Sequence, residues 1–265
     1  MDLSRVLAMT DKSFVALSLG WGVQSFTLAA MVALGELPPV DVAIHADTTH
    51  EMSGTYAHAK KYTPWLEGLG VQVVTVYKAD TIDANRLDHI PAFTPGSGLY
   101  SNFGMIRRQC TNHWKIQPMR RWIQANRNGR PVTQWLGIST DEAPRMKPAN
   151  VKYIINRWPL IELRISRWDC IRWLDSHGLD VPPKSSCVFC PYHDQSTWRE
   201  LKLEGGDDWR KAVEADRHIR NARTKKGDLF VHPARIPLED VDLRNMEDRG
   251  QLRLWDEECS GICGV

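Results

Sequence analysis

The 265-residue sequence has no apolar run long enough to cross a membrane. Its richest apolar stretch, Ala29 to Leu34, is ended by Gly35, Glu36 and two prolines. The N-terminus lacks the basic-then-apolar order of a secretion signal, so the expected location is the cytoplasm. A formal net charge of only +2 excludes a uniformly basic nucleic-acid coat. There is no internal repeat and no low-complexity tract. The glycine-rich turn near the start is not followed by the lysine of a Walker loop, and Ser25 breaks the dinucleotide pattern G-x-G-x-x-G.

What the chain does have is enough apolar material, 42%, to build a normal core. Basic residues cluster locally: Arg107, Arg108, Lys115, Arg120 and Arg121 form one group, and Arg217, Arg220, Arg223, Lys225 and Lys226 another. Each group reads either as a solvated helix face or as a contact for a polyanion. Eleven tryptophans are available for core packing or for stacking on bases. The six cysteines, at 110, 170, 187, 190, 259 and 263, are not expected to form disulfides in a cytoplasmic chain. That leaves metal binding, redox chemistry or burial.

The hydrophobic pattern predicts strands at Phe14 to Ser18, Val40 to Ala46, Val71 to Tyr77 and Val132 to Ile138, with a short fifth at Val151 to Asn156. Helices are predicted at Ser25 to Ala33, Thr55 to Leu69 and Lys115 to Asn126, and Thr81 to Gly104 reads as a long loop. This alternation indicates an α/β fold with a parallel sheet covered on both faces. After Pro159 the pattern becomes helical: Ser166 to His177 with Ser166 as N-cap, then Ser196 to Leu203 and Asp207 to Arg223. The expected division is therefore a nucleotide-binding α/β domain over 1–158 and a helical, cysteine-bearing region over 159–265.

The glycine turn lies between the first strand and the first helix. There, backbone N–H groups without intervening Cβ atoms can approach phosphate oxygens, and the helix N-terminus adds partial positive charge. A tight turn with no ligand would show the same pattern. Cys187 and Cys190 form a C-x-x-C pair followed by Pro191, a spacing that suits two ligands of one metal or iron–sulfur centre. A redox dithiol is the alternative, although the pair does not follow a first strand at a helix start.

Several segments together carry a family resemblance. "GWGVQS" resembles the S-G-G-x-D-S pyrophosphate loop of the adenine nucleotide α-hydrolase superfamily. "HADTTHEMSGTYAH", "RRQCTNHWKIQPMRRW", "LGISTDEAPR" and "RWDCIRWLDSHGLDVPPKSSCVFCPYH" are similar to motifs of its PAPS (phosphoadenosine-phosphosulfate) reductase-like branch. That branch includes PAPS reductases, the ATP pyrophosphatases of DNA phosphorothioation systems and phage-borne relatives. The chain departs from the loop pattern at Gly20 and Trp21, which replace its Ser-Gly, and at Gln24, which replaces its Asp. Trp21 is free on this reading to narrow the cradle or to stack on a nucleotide.

The resemblance implies a Rossmann-like fold and a site. Ser18, Gly20, Trp21, Gly22, Val23, Gln24 and Ser25 would line the phosphates, with Asp47 at the end of the second strand and Arg107 and Arg108 also binding. Ser25, Asp47, Lys115 and Arg145 would serve the chemistry, with ATP and Mg²⁺ as nucleotide and counter-ion. It also implies a [4Fe–4S] cluster on Cys110, Cys187, Cys190 and Cys263, with Cys259, Cys170 or no fourth ligand as alternatives, and Zn²⁺ as the alternative metal. The activity implied is an ATP pyrophosphatase that adenylylates an acceptor, nucleic acid in the first instance, for sulfur transfer of the DNA phosphorothioation or tRNA thiolation type. A sulfur-donor protein such as a cysteine desulfurase would then be a partner. A PAPS-type sulfonucleotide reductase and a non-catalytic nucleotide-sensing subunit of a modification or defence complex are the alternatives, and a homodimer stays open.

Overall fold

The computed structural model describes residues 13–77, 90–95, 104–220, 228–246 and 248–249. The chain divides into two compact units, 1–84 with 111–186, and 85–110 with 187–265.

The first unit is a five-stranded sheet in the order β3-β2-β1-β4-β5, with every neighbouring pair parallel. The strands are β1 (Phe14–Ser18), β2 (Val42–Asp47), β3 (Val73–Tyr77), β4 (Val132–Leu136) and β5 (Ile154–Arg157). The α/β class expected from the sequence is thus the observed one. β1 is central, and its apolar run serves both faces. Val15, Leu17 and Leu19 join one core with Phe26, Leu28, Tyr62, Leu66, Cys170 and Leu174. Phe14 and Ala16 join a second with Ile44, Met119, Ile123 and Val132. Side chains alternate along a strand, so consecutive residues supply opposite layers.

Helix α1 (Val23–Ala33) is buried from Val23 to Val32, which is why its sequence is mostly apolar, with Gln24, Ser25 and Thr27 the polar exceptions. Helix α2 (Ser53–Gly68) gives Tyr62 and Leu66 to the same core. On the other face, a π-helix over Thr111–Ile116 runs into α3 (Gln117–Asn126). After β5 come the one-turn α4 (Pro159–Glu162) and α5 (Arg167–Ser176). Ser166 caps α5 as expected, and the cap is reciprocal: its Oγ accepts from Asp169 N–H at 3.1 Å while Asp169 Oδ2 accepts from Ser166 N–H at 2.9 Å. The Ser166 hydroxyl, which donates to Asp169 Oδ2 at 2.6 Å, and then its N–H hold the Asp169 carboxyl down at about 2.

The division differs from the expected break after residue 158. Cys170 and Leu174 of α5 belong to the core that α1 builds on β1, so 159–186 folds with the sheet although it adds no strand. The second unit holds α6 (Gln195–Glu204) and α7 (Asp207–Arg220), with Phe93 bridged to Met105 and Phe230. Its buried Asp216 accepts from the N–H groups of Val231 and Leu238, both at 3.0 Å, and pairs with Arg220. That carboxylate ties α7 to the loop that follows it. Among the described residues no helix is long and apolar enough to cross a membrane.

His58 of α2 is 6% exposed and packed edge-on against Phe26, with Tyr62 and Trp21 beside it. Burial lowers its pKa from 6.5 to about 4, so the folded state holds it neutral. The unfolded chain takes up the proton below about pH 6.5, and the folded chain does not until about pH 4. The stability contributed is therefore complete above pH 6.5 and declines as pH falls toward 4, by about 3 kcal/mol at most. Urea midpoints between pH 7.5 and 5 should fall in wild type and fall less in His58→Phe. Equal slopes in both would show that His58 is not the group responsible.

Candidate functional site

The strand order reverses between β1 and β4, and the loops leaving these two strands meet there. In open α/β sheets ligands bind outside the carboxyl ends of the strands at such a point. The loop from β1 is Leu19 to Gly22, which leads directly into α1. Leu19 N–H donates to Ile44 O at 2.8 Å and extends the sheet by one residue. The loop then closes on itself: Gly20 N–H donates to Ser25 Oγ at 3.2 Å, and Ser25 Oγ donates to Gly22 O at 3.2 Å. Ser185 Oγ donates to Gly20 O from outside.

Trp21 is the strained residue of this loop, at φ +56°, a left-handed conformation rare for a bulky side chain. It is 1% exposed and lies against Phe26, His45 and His58. Trp21 therefore anchors the loop into the core, and its ring neither narrows the cradle nor presents a stacking face. The two glycines are another matter. Neither has a positive φ. A Cβ on Gly20 would lie 3.8 Å from Ser25 Oγ, and one on Gly22 would lie 3.6 Å from Ser185 Cβ, both ordinary contacts. Neither backbone conformation nor protein neighbours demand glycine at these positions. Gly22 is the N-cap of α1 and has no side chain with which to cap that end, so the first N–H groups of the helix keep their capacity for an external acceptor.

Gly137, just after β4, is demanded by the protein itself. A Cβ there would stand 2.7 Å from Ser25 N and 2.8 Å from Ser25 Cα. The first turn of α1 thus presses directly on the backbone leaving β4.

Gln24 is 7% exposed and fully engaged. Its Nε2 donates to Ser139 Oγ at 3.3 Å and to Glu142 Oε2 at 3.2 Å, and its Oε1 accepts from Arg167 NH1 at 3.0 Å. Glu142 also pairs with Arg145, and Arg167 N–H donates to Asp141 Oδ1 at 2.8 Å. An amide suits this place because it faces a carboxylate on one side and a guanidinium on the other. A carboxylate at position 24 would stand within hydrogen-bond distance of Glu142 and repel it.

At the end of β2, Asp47 Oδ1 accepts from Thr49 N–H at 2.7 Å and Tyr56 OH at 2.8 Å. Burial first, and then Asp47, push the Tyr56 phenol above its ordinary value. Lys115 Nζ lies 2.8 Å from Glu51 Oε1. His45, its pKa lowered by burial, has Nδ1 3.1 Å from Leu19 O.

Of the residues expected from the sequence, Ser18 to Ser25, Asp47, Lys115 and Arg145 all belong to the sheet unit. Arg107 and Arg108 belong to the second unit, are exposed, and Arg108 lies over the Tyr192 ring at 5.1 Å. Cys110, Cys187 and Cys190 are half-buried cysteines of that unit. Cys187 and Cys190 form a tight turn, with Cys190 N–H donating to Cys187 O at 3.0 Å and His193 Nε2 at 3.0 Å from the same oxygen. Among the described residues no three His, Cys, Asp or Glu side chains group so as to hold a metal ion. Cys259 and Cys263 lie outside the described residues, as do Arg223, Lys225 and Lys226. Cys170 is fully buried in the sheet unit's core, which pushes its thiol up to about 12. It is a packing residue. Glu51, Gly137, Ser139, Glu142, Arg167 and Ser185 were not singled out by sequence. All six stand within the motif segments quoted above, but a segment's resemblance does not show which of its residues meet in the fold.

No protein-family model matches the chain, and no curated protein matches it. A solved structure of PAPS reductase from Candida auris, as its phosphate complex, aligns with a TM-score of 0.47 at 14% identity. The alignment covers 69% of this chain and 82% of that one.

The contact at Gly137 gives a direct expectation. Gly137→Ala should destabilise the protein by about 1–3 kcal/mol, because backbone must move to admit the methyl group. Gly20→Ala, whose Cβ meets only ordinary contacts, should change stability far less. Paired urea denaturation curves check both, and equal effects would contradict the packing described.

Proposed function

We propose that the sheet unit binds an adenine nucleotide with its phosphates over the N-terminus of α1, and that the chain is an ATP pyrophosphatase that adenylylates an acceptor for sulfur transfer. The observation that carries this reading is the pair of glycines flanking Trp21. Protein contacts do not require them, they lie at the topological switch point, and they border an uncapped helix N-terminus. Polyphosphate is the group that such a cradle takes best.

In the proposed reaction an acceptor oxygen attacks the α-phosphorus, the bond to the bridging oxygen breaks, and pyrophosphate leaves. The first-turn N–H groups of α1 would hold the departing phosphates. Arg145 and Lys115 each pair with a carboxylate, and would be available to neutralise developing charge if those pairs yield to the ligand. Mg²⁺ would enter with the nucleotide, since it binds through phosphates and one or two carboxylates. The acceptor proposed is nucleic acid, supported by the exposed basic residues Arg107, Arg108 and Arg121. A second reading, reduction of a sulfonucleotide, is favoured by Gln24: it leaves the loop without a carboxylate, and sulfate reduction needs no divalent cation at an anhydride.

The test uses Gly22. Gly22→Ala should fold normally, because its Cβ meets Ser185 at an ordinary 3.6 Å, yet lose at least about tenfold in ATP affinity by calorimetry. Unchanged ATP affinity would remove the cradle. Tighter binding of PAPS than of ATP, without pyrophosphate release, would select the second reading. If DNA and tRNA both fail to bind at low salt, where phosphate contacts are strongest, a small-molecule acceptor replaces nucleic acid.

A further inference from the structure

A carboxylate lies buried beside the carboxyl end of β2. Glu51 is 3% exposed; its Oε1 takes Lys115 Nζ at 2.8 Å and Thr48 Oγ1 at 3.3 Å, while its Oε2 has no hydrogen-bond partner among the described residues. The Lys115 side chain is 36% exposed and that of Glu51 1%. The pair is thus asymmetric, with the acid sealed in the protein and the ammonium reaching the surface. A buried ion pair is a poor source of stability, since apolar residues would fill the same space at lower cost. Its merit is to hold a charge in one place.

Two features independent of the pair mark the same spot. Lys115 stands in the π-helix Thr111–Ile116, a geometry that is rare and found frequently at functional sites. Thr49, a β-branched residue, is held at φ +63° by the Asp47 carboxylate on its N–H. Strain of this kind gathers where a segment's position matters more than its stability.

We propose that Glu51 is a positioning residue: its buried carboxylate fixes the Lys115 ammonium at the carboxyl edge of β2, where Lys115 receives an anionic group of the ligand. The identity of that anion, a nucleotide phosphate, rests on the reading above, whereas the pairing does not. The proposal makes a signed claim. As a mere charge, Glu51 would repel an anionic ligand, and its neutralisation would tighten binding. As the group that holds Lys115, its neutralisation weakens binding. The ion pair also engages the Lys115 nitrogen, and so shields it from acylation.

The experiment has two arms in the full-length protein. In the first, without nucleotide, acylation of Lys115 at pH 9 is followed by peptide mass mapping. Glu51→Gln should accelerate it about five- to tenfold, because the ion pair that engages the amine is lost. In the second, ATP affinity is measured for wild type, Glu51→Gln, Lys115→Gln and the double variant. Glu51→Gln should weaken binding about tenfold, and the double variant should be no worse than Lys115→Gln, because the two act as one unit. An unchanged acylation rate, or tighter ATP binding by Glu51→Gln, overturns the proposal. If Glu51→Gln fails to fold, Glu51→Asp keeps the charge and shortens its reach; faster acylation of Lys115 in it supports the proposal and no change overturns it. Should wild type bind no ATP, the acylation arm still decides whether Glu51 holds Lys115, and the nucleotide reading is what fails.

Discussion

The approach of α1 to the backbone leaving β4 is the constraint on which the site depends. At Gly137 there is no room for a methyl group, because the first turn of α1 occupies that space. This close approach brings the N-terminus of a buried helix to the point where the strand order reverses. It also brings Gln24 within reach of Ser139 and Glu142, which follow β4. Any side chain at position 137 would push the helix outward and break that register.

Gln24 then serves as the hinge of a charge arrangement. Arg167, at the start of α5, reaches its carbonyl oxygen, and Glu142 reaches its amide nitrogen. Glu142 extends the chain to Arg145. One neutral side chain thereby holds an acid and a base in place without adding to either. The same logic recurs at β2, where Glu51 holds Lys115. In both places a cation of the sheet unit is placed by a carboxylate that is more buried than the cation itself.

Much of the sheet was legible because its signals are local. β1 is a continuous apolar run ended by glycines, and the residues observed, Phe14–Ser18, are those expected. The cap at Ser166 was legible for the same reason. The partners of Gln24 were not, because they lie 115 to 143 residues away and meet it only through the fold. The boundary after residue 158 was misplaced because the end of the strand pattern resembled the end of a unit. Burial of Cys170 and Leu174 against the α1 core shows why the next helix still belongs to it. The cysteine spacing was legible as a motif, but spacing carries no information on whether a third thiol converges.

Trp21 shows how one bulky residue can make a glycine turn more rigid instead of more crowded. A left-handed conformation at a tryptophan is costly, and the loop keeps it because the indole enters the aromatic cluster of Phe26, His45 and His58. With the ring inside, the loop's path is set from below by packing and from within by the Ser25 hydroxyl. What remains above it is backbone from two glycines, where neither φ nor a neighbouring atom forbids a side chain. A turn anchored so firmly on its inner side has a fixed path, and on its outer side Ser185 ties down the Gly20 carbonyl as well.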